Sequence, residues 1–277
     1  MCAPSLMSGV REELSRRRFL GLLGASAAVA AAPARAAGQG GPVRLPQGFR
    51  DTYDLTHTLS SGTPVYPAFR PFEAVERFTI ARDGFGCSDL TFNEHTGTHI
   101  DAPIHFVDGQ ATVDRLPPDR FFAPLAVVSI VARVDRDPDA TLTVDDLLAW
   151  EKQHGRLPPG AFVAMDSGWD ARIGDAGRFL NADAGGTLHS PGFSGEAARF
   201  LVEERDIVGV GVDTISLDPG SAQAPLMAHL TLLGAGKYGL ELMANLGIVP
   251  PSGAMVIIGA PKHLEGTGGP VRVYAVA

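Results

Sequence analysis

The chain has 277 residues, of which 45% are hydrophobic, and it carries a formal net charge of −8 and two cysteines. This apolar content is enough for a folded core, while the acidic balance excludes a nucleic-acid-binding protein, because a polyanion would be repelled. Cys2 lies in the first 37 residues, which we expect to be removed as an export signal, so Cys87 then has no partner for an internal disulfide. Stability must therefore come from packing, bound metal or assembly.

The first 37 residues have the order of an export signal. Three consecutive arginines from Arg16 precede the apolar run 19–32 and then a small-residue A-x-A site. The paired arginines resemble the twin-arginine signal, which implies export of the folded chain to the bacterial periplasm; an ordinary Sec signal is the alternative. Because the apolar run is shorter than a bilayer span, we expect cleavage near Ala36 and no permanent membrane anchor. Loss of this segment removes five arginines and two glutamates, and the net charge falls from −8 to −11.

Residues 38–50 are rich in Gly, Pro and Gln and are predicted to be a flexible lead-in, whereas no break in composition divides residues 51–277. Structure is predicted to begin near Tyr53. Runs that are apolar or alternate in polarity, each bounded by Gly, Pro, Asp or Asn, predict strands. In chain order these runs are EAVERFTI, SDLTFNEH, LAVVSIVARV, AFVAM, IVGVGVD, AMVIIGA and VRVYAVA.

Two segments between these runs have a capping residue followed by an apolar helical face. They are TVDDLLAWEKQHG, with Thr143 at its start, and SGEAARFLVEER, with Ser194 at its start. APLMAHLTLL and LELMANL are weaker helix candidates. Since strands outnumber helices, the sequence predicts a single α/β domain with a mixed sheet and flanking helices.

The stretch HTGTHIDAPIHF, residues 95–106, concentrates four residues that can bind metal or move protons: His95, His99, Asp101 and His105. No regular element converges them, because a strand would separate His95 from His99 by about 13 Å and a helix would turn Asp101 away from both. Ligand atoms about 2.0 to 2.2 Å from one cation therefore require a bent backbone. Gly97 and Pro103 provide places to bend.

Imidazole nitrogen together with carboxylate oxygen suits Zn²⁺ or Mn²⁺. Two histidines with one aspartate leave coordination positions open for water or substrate, as in catalytic sites. A structural zinc site normally has four protein ligands, usually including cysteine, and no cysteine lies near this stretch. Scattered loop histidines are the alternative interpretation.

The same stretch resembles the H-x-G-T-H-x-D-x-P-x-H motif of the metal-dependent cyclase/hydrolase family that includes bacterial kynurenine formamidase and isatin hydrolase. The motif is long and specific, and the resemblance extends across the chain after the lead-in. Further similar segments are YDLTHTLSSGTPVYP, HSPGFSGEAARFL, GVGVDTISLD and AHLTLLGAGKYGLELMANL. The resemblance implies a fold similar to the swivelling β/β/α fold of that family.

Roles follow from the resemblance position by position. His95, His99 and Asp101 are similar to the primary metal ligands, and Asp101 is able to bridge if a second ion is present. His105 is similar to the general acid/base of the family. A positioned histidine of this kind protonates an amide nitrogen, which otherwise leaves poorly, and contributes about 10² to 10⁴ in rate.

His229 and Glu241, twelve positions apart, match the spacing of a second pair of ligands in formamidase members of the family. A core histidine and a solvated helix charge are the alternative interpretations of these two residues. The resemblance implies one or two divalent ions per subunit, zinc or manganese, and a homodimer or homotetramer.

Trp169 and Phe69 are candidates for an aromatic wall that contacts the substrate, with core packing as the alternative for each. His57 and His189 match histidines of the family's flanking motifs and are predicted to support the site or the fold. Three polar residues that follow a predicted buried strand are expected to be hydrogen-bonded scaffolding: Asp213, Ser216 and Asp218.

Together these features predict a periplasmic, metal-dependent hydrolase that opens the C–N bond of a small, aromatic amide, formamide or lactam. One alternative keeps the site but replaces hydrolysis with a cyclisation or dehydration through an enolate. The other is a protein that only binds a small acidic ligand on its metal; the presence of His105 beside the ligands argues against it, because binding alone needs no proton donor.

Overall fold

The computed structural model describes residue 48 and residues 50–277, within which the chain forms thirteen strands and six α-helices. The strands are β1 (Thr52–Asp54), β2 (Glu73–Phe78), β3 (Cys87–Thr91), β4 (His99–Asp101), β5 (Phe122–Ser129), β6 (Thr141–Leu142), β7 (Ala161–Asp166), β8 (Gly192–Phe193), β9 (Ile207–Val212), β10 (Tyr238–Glu241), β11 (Ala254–Gly259), β12 (Gly268–Pro270) and β13 (Arg272–Val276). The helices are α1 (Ile80–Asp83), α2 (Val131–Val134), α3 (Val144–His154), α4 (Ala176–Leu180), α5 (Gly195–Glu203) and α6 (Met227–Gly234). The predicted export signal, residues 1–37, lies outside the described residues.

Nine strands form one mixed sheet in the order β1-β13-β11-β5-β7-β9-β10-β4-β12. The four neighbours β5, β7, β9 and β10 are parallel, and the strands on both sides of them pair antiparallel. The predicted single α/β domain with a mixed sheet is confirmed. β10, β4 and β12 lie together at one end of this order, and there they build the site described below.

The central strands are buried on both faces, as expected for parallel strands covered on both sides. All residues of β7 are buried. Val163 and Met165 pack in a hydrophobic cluster with residues of the helices, whereas Phe162 and Ala164 pack in a second cluster with residues of β11 and β13. Each large apolar side chain buried in this way contributes about 1.5 to 3 kcal/mol to stability.

The two stronger helix predictions are confirmed, including their first residues. The Thr143 side chain accepts a hydrogen bond from the Asp146 backbone N–H at the start of α3, and Asp146 accepts one from the Thr143 backbone N–H, which completes a capping box. Ser194 caps α5 in the same position by accepting from the Ala197 N–H. APLMAHLTLL contains α6.

Two predictions about elements are wrong. LELMANL is not a helix, because Leu240 and Glu241 end strand β10, whose hydrogen bonds to β9 and β4 outweigh the helical propensity of these residues. The second half of LAVVSIVARV is also not a strand, since β5 ends at Ser129 and a short helix, α2, begins at Val131.

β2 and β3 form a separate two-stranded hairpin in which no residue is buried. Its exposed side chains include Val75, Phe78 and Leu90, which are 51%, 42% and 55% exposed. A two-stranded hairpin is marginally stable by itself in water. The apolar surface of this hairpin is not covered by anything in the described part of the chain.

Among the described residues, no helix combines the length and apolarity that crossing a bilayer requires.

Candidate metal centre

Strands β4 and β10 place three candidate ligands on one face of the sheet. His99 and Asp101 are two residues apart in β4, so their side chains point to the same side. Glu241 lies opposite His99 in the antiparallel pair formed by β10 and β4. His99 Nε2 is 3.3 Å from Asp101 Oδ1 and 3.4 Å from Glu241 Oε2.

A turn before β4 adds His95 to these three side chains. Gly97 has φ 65°, and a Cβ at this position would lie 2.9 Å from Leu59 Cδ1, so the bend requires glycine. The turn places His95 Nδ1 2.7 Å from Asp101 Oδ1. The Gly97 carbonyl also accepts a hydrogen bond of 2.8 Å from His99 Nδ1, which leaves His99 Nε2 facing the carboxylates. The predicted bent backbone is present.

His229 reaches the cluster from helix α6. Its Nε2 lies 3.2 Å from Glu241 Oε1 and 3.6 Å from Asp101 Oδ2. Glu241 is buried in a strand, so it is not a solvated helix charge. Two overlapping groups result, one of His95, His99 and Asp101 and one of Asp101, His229 and Glu241, and the ligand atoms within each lie within 4.8 Å of one another. Asp101 belongs to both groups.

Unpaired polar atoms show that the cluster fits a cation. His99 Nε2 and Asp101 Oδ2 are buried and have no hydrogen-bond partner. A buried polar atom without a partner costs about 1 to 3 kcal/mol. Nitrogen and carboxylate oxygen atoms converging without a partner are the donor set that zinc and manganese bind.

The buried imidazoles and carboxylates of the cluster shift one another's pKa values. Burial disfavours ionisation of Asp101, but the imidazoles around it, that of His229 above all, outweigh burial and hold the pKa of Asp101 well below its usual range. Burial likewise disfavours a charged His99, yet the nearby carboxylates of Asp101 and Glu241 raise the pKa of His99 to about 10. Burial also disfavours a charged His229, but the nearby carboxylates of Asp101, Asp218 and Glu241 outweigh burial and raise the pKa of His229 well above its usual value. A cation must displace these protons to bind.

Asp218 holds His229 in place. Its Oδ2 accepts a 2.7 Å hydrogen bond from His229 Nδ1, so His229 Nε2 faces Asp101 and Glu241. The same carboxylate accepts from the backbone N–H groups of Ala228 and His229 at 2.8 and 3.0 Å, near the start of α6. Asp218 is predicted to be hydrogen-bonded scaffolding, and what it holds is the ring of a candidate ligand, His229.

His105 lies beside the cluster on a 3-10 turn, Pro103–His105, that begins with the predicted bend at Pro103. Its ring stacks on the ring of His95, with centroids 3.8 Å apart. Burial is the main cause that lowers the pKa of His105, to about 4; the nearby His95 and His229 add to the effect and Asp101 opposes it. The ring is therefore neutral at neutral pH and can accept a proton.

A cavity of about 180 Å³ opens onto the cluster. Phe69 lies in its wall, and the centroid of its ring is 5.9 Å from that of His95. Several wall residues were not singled out from the sequence, although Phe106 directly follows His105 in the motif; these residues are Tyr66, Phe106, Ile215 and Leu226. Ser216 also lines the cavity.

Trp169 is not part of this wall, and its prediction as a substrate contact is wrong. The side chain is fully buried in the hydrophobic cluster that includes Phe179, and its Nε1–H donates a 2.8 Å hydrogen bond to the Phe179 carbonyl. The core-packing alternative therefore applies. Trp169 instead helps to surround Asp213, because its backbone N–H donates to the Asp213 carboxylate.

His57 and His189 join neither group of candidate ligands. The backbone N–H of His57 donates to Thr98 Oγ1, and that hydroxyl donates to the Leu242 carbonyl, next to Glu241. His57 thus belongs to the backbone support of the site. His189 Nδ1 lies 2.7 Å from Asp139 Oδ2, and its side chain is 30% exposed.

Comparisons with known proteins agree with this geometry. A family model described as "Putative cyclase" matches residues 53–219. The isatin hydrolase of Roseibium aggregatum is 37% identical over 250 residues, covering 84% of this chain and 94% of that protein. The kynurenine formamidase of Paracidovorax citrulli is 27% identical over 239 residues, covering 80% of this chain and 95% of that protein.

The solved structure of isatin hydrolase A from Ralstonia solanacearum has a TM-score of 0.77 to this chain at 37% sequence identity. The match covers 82% of this chain and 91% of that chain. The long family match, together with relatives that align over most of their length, shows that the chain belongs to the cyclase family and is a hydrolase.

Proposed function

We propose that the chain is a divalent-metal-dependent hydrolase that opens the C–N bond of a small aromatic carbonyl compound, either a lactam such as isatin or an arylformamide. The observation that carries this proposal is the position of Asp101, shared by two groups of possible metal ligands beside a cavity with aromatic walls. The relatives named isatin hydrolase and kynurenine formamidase support the substrate class.

Five side chains would hold one or two ions of zinc or manganese: His95, His99, Asp101, His229 and Glu241. When bound, such an ion lowers the pKa of water and polarises a carbonyl group. Asp101 and Glu241 supply the negative charge that favours the cation at this buried position. The hydrogen bonds from His99 to Gly97 and from His229 to Asp218 keep the other nitrogen of each ring directed at the cluster.

His105 transfers a proton from the attacking water to the leaving nitrogen. A neutral imidazole nitrogen of His105 accepts a proton from the attacking water as the C–O bond forms. The same nitrogen then gives this proton to the amide nitrogen as the C–N bond breaks, so that the leaving group departs as a neutral amine. The stacking of His105 on His95, which holds the ring beside the candidate ligands, supports this role.

Aromatic side chains determine the class of substrate. Tyr66, Phe69 and Phe106 line the cavity and offer ring faces against which a planar substrate can pack. The cavity volume of about 180 Å³ suits a compound of one or two rings. Packing of the ring also displaces water from the cavity, which strengthens the electrostatic interactions around the carbonyl.

Chelation tests the metal requirement. Treatment of the purified protein with a chelator should abolish hydrolysis of isatin and arylformamides, and addition of manganese or zinc should restore it. Full activity of a metal-free protein would contradict the proposal.

We propose cyclisation or dehydration through an enolate as a second reaction of the same site, beside hydrolysis; the word cyclase in the family description supports it. Hydrolysis puts an oxygen atom from water into the product, whereas the enolate route does not. Mass spectrometry of the product formed in ¹⁸O-labelled water therefore distinguishes the two reactions.

We propose further that the protein works in the periplasm as a homodimer or homotetramer. The twin-arginine motif supports the location, and the apolar side chains of the unburied β2–β3 hairpin support self-association. Cell fractionation tests the first point. Light scattering of the purified protein tests the second, and a monomer at all concentrations would contradict it.

A further inference from the structure

The second nitrogen of His95 begins a chain of hydrogen bonds that leads away from the metal cluster. His95 Nε2 lies 3.0 Å from Thr267 Oγ1. Thr267 Oγ1 donates to Glu94 Oε2, and Glu94 Oε1 contacts His263 Nε2. The side chains of Glu94 and His263 are 36% and 44% exposed, so this series of hydrogen bonds connects a buried candidate ligand with the protein surface.

The Glu94 carboxylate determines which atom donates and which accepts in each of these hydrogen bonds. An ionised carboxylate has no proton to donate, and a threonine hydroxyl has only one. Because Thr267 gives its proton to Glu94, its oxygen must accept at His95, and His95 Nε2 must carry a hydrogen. In the neutral ring, Nδ1 is then unprotonated, and Nδ1 is the atom that lies 2.7 Å from Asp101 Oδ1.

We propose that Thr267 and Glu94 are positioning residues that hold His95 in the tautomer whose Nδ1 is free to bind the cation. This inference rests on the proposed function, because it concerns His95 as a metal ligand. An unprotonated Nδ1 beside a carboxylate oxygen places two acceptors against each other. A cation bound by both atoms removes that repulsion, as the proposed site requires.

The backbone around Thr267 is built to make this contact. The adjacent strand β12 pairs with β4, with Gly268 opposite Asp101, and the Ala102 N–H donates a 2.9 Å hydrogen bond to the Thr267 carbonyl. A Cβ at Gly268 would lie 2.7 Å from His95 Cε1 and 2.3 Å from the Ile100 carbonyl oxygen. Only glycine therefore lets this segment pass close enough to the imidazole for Thr267 to reach Nε2.

His95 differs in this respect from the other two candidate histidine ligands. His99 and His229 each present Nε2 to the cluster, and each donates from Nδ1 to one buried acceptor, the Gly97 carbonyl or Asp218. His95 presents Nδ1 and depends on a hydroxyl that can both donate and accept. The orientation of the Thr267 hydroxyl proton is thus set by Glu94, the next residue in the series of hydrogen bonds.

Metal binding by side-chain variants tests the proposal. Thr267→Val removes the hydroxyl at nearly constant shape, Thr267→Ser restores it, and Glu94→Ala removes the acceptor at a partly exposed position. Thr56→Val is a matched control, since the Thr56 hydroxyl makes hydrogen bonds only to the backbone of Val273. The dissociation constant for Mn²⁺ is measured by competition with a chelating dye, and the visible spectrum of the Co²⁺-loaded protein reports the ligand geometry.

Thr267→Val and Glu94→Ala should each weaken Mn²⁺ binding about 10-fold to 100-fold and change the Co²⁺ spectrum. Thr267→Ser and Thr56→Val should bind like the unsubstituted protein. Folded Thr267→Val protein with unchanged affinity and spectrum would overturn the inference and leave the proposed function intact; if Thr267→Val does not fold, the same result for Glu94→Ala decides. Failure of the unsubstituted protein to bind Mn²⁺, Zn²⁺ or Co²⁺ would instead overturn the proposed function.

Discussion

Glu241 lies opposite His99 across two paired strands, and Glu241 Oε2 approaches His99 Nε2 to 3.4 Å, although 142 positions separate the two residues in the chain. This relationship joins the end of the central parallel sheet to the histidine motif. Since Glu241 also contacts His229, it connects a member of each group of candidate ligands. The site is therefore a property of the sheet and not of the motif alone.

Substitution of the shared carboxylate should have the largest effect on metal content. In Asp101→Ala, both groups of candidate ligands lose a member, so we expect bound metal to fall below about one tenth of the normal content. Elemental analysis of the purified protein measures this. Asp108→Ala, which removes an exposed carboxylate nearby, should retain its metal, and a normal metal content in Asp101→Ala would show that the ions bind elsewhere.

Replacement of His105 should separate catalysis from metal binding. His105→Phe keeps a ring that can stack on His95 but cannot transfer a proton, so kcat should fall by about 10² to 10⁴ while metal content stays normal. Steady-state kinetics and elemental analysis of the same sample give both values. His154→Ala, on the surface of α3, is the control. Normal turnover by His105→Phe would remove His105 from the mechanism.

Asp218→Asn should weaken metal binding although it replaces none of the candidate ligands. The asparagine amide has one oxygen for three donors, and its NH₂ group would face N–H groups of Ala228 or His229. We expect affinity for Mn²⁺ to fall about 10-fold to 100-fold, measured by chelator competition. An unchanged affinity would mean that His229 is oriented by other contacts or is not a ligand.

Asp213 should make stability depend on pH. Burial is the main cause that raises the pKa of Asp213 from its ordinary value of 3.8 to about 7, and the nearby Asp166 and Asp170 add to it. Between these two values the folded chain holds a proton that the unfolded chain has released. The free energy of unfolding should therefore fall, by on the order of 1 kcal/mol per pH unit, as pH rises from about 4 to about 7.

Asp213→Asn isolates this effect. The asparagine oxygen can accept from the Ser167 and Trp169 N–H groups, and its NH₂ group can donate to Ser167 Oγ, so the variant should fold. Denaturant unfolding of both proteins between about pH 5 and pH 8 gives the comparison. Parallel pH profiles for the two proteins would show that Asp213 does not titrate in this range.

The motif and its bend could be predicted from the sequence because they are local. His95, His99, Asp101 and His105 lie within one stretch, and Gly97 and Pro103 mark its turns. His229 and Glu241 are predicted as ligands only through the resemblance to a family, because a local pattern contains no information on which strands pair. The pattern around Glu241 predicts a helix. The segment is instead part of strand β10, because its conformation is set by pairing with β9 and β4.

Two other features could not be predicted, for a similar reason: the contact of Thr267 with His95 and the burial of Trp169. Thr267 contacts His95 across a separation of 172 residues, and nothing in the sequence near Thr267 indicates a polar role. Trp169 follows a strand that ends in polar residues, a position where side chains often line a site, but its ring turns into the core beside Phe179. The direction of one side chain depends on packing that only the assembled fold defines.

Anomalous X-ray diffraction from crystals grown with Mn²⁺ tests the central claim most directly. We predict a peak in contact with Asp101 and lying among the imidazoles of His95 and His99, with any second peak between Asp101, His229 and Glu241. A map with no anomalous peak at these side chains, from protein that is active and contains manganese, would contradict the claim that this cluster is the catalytic metal centre.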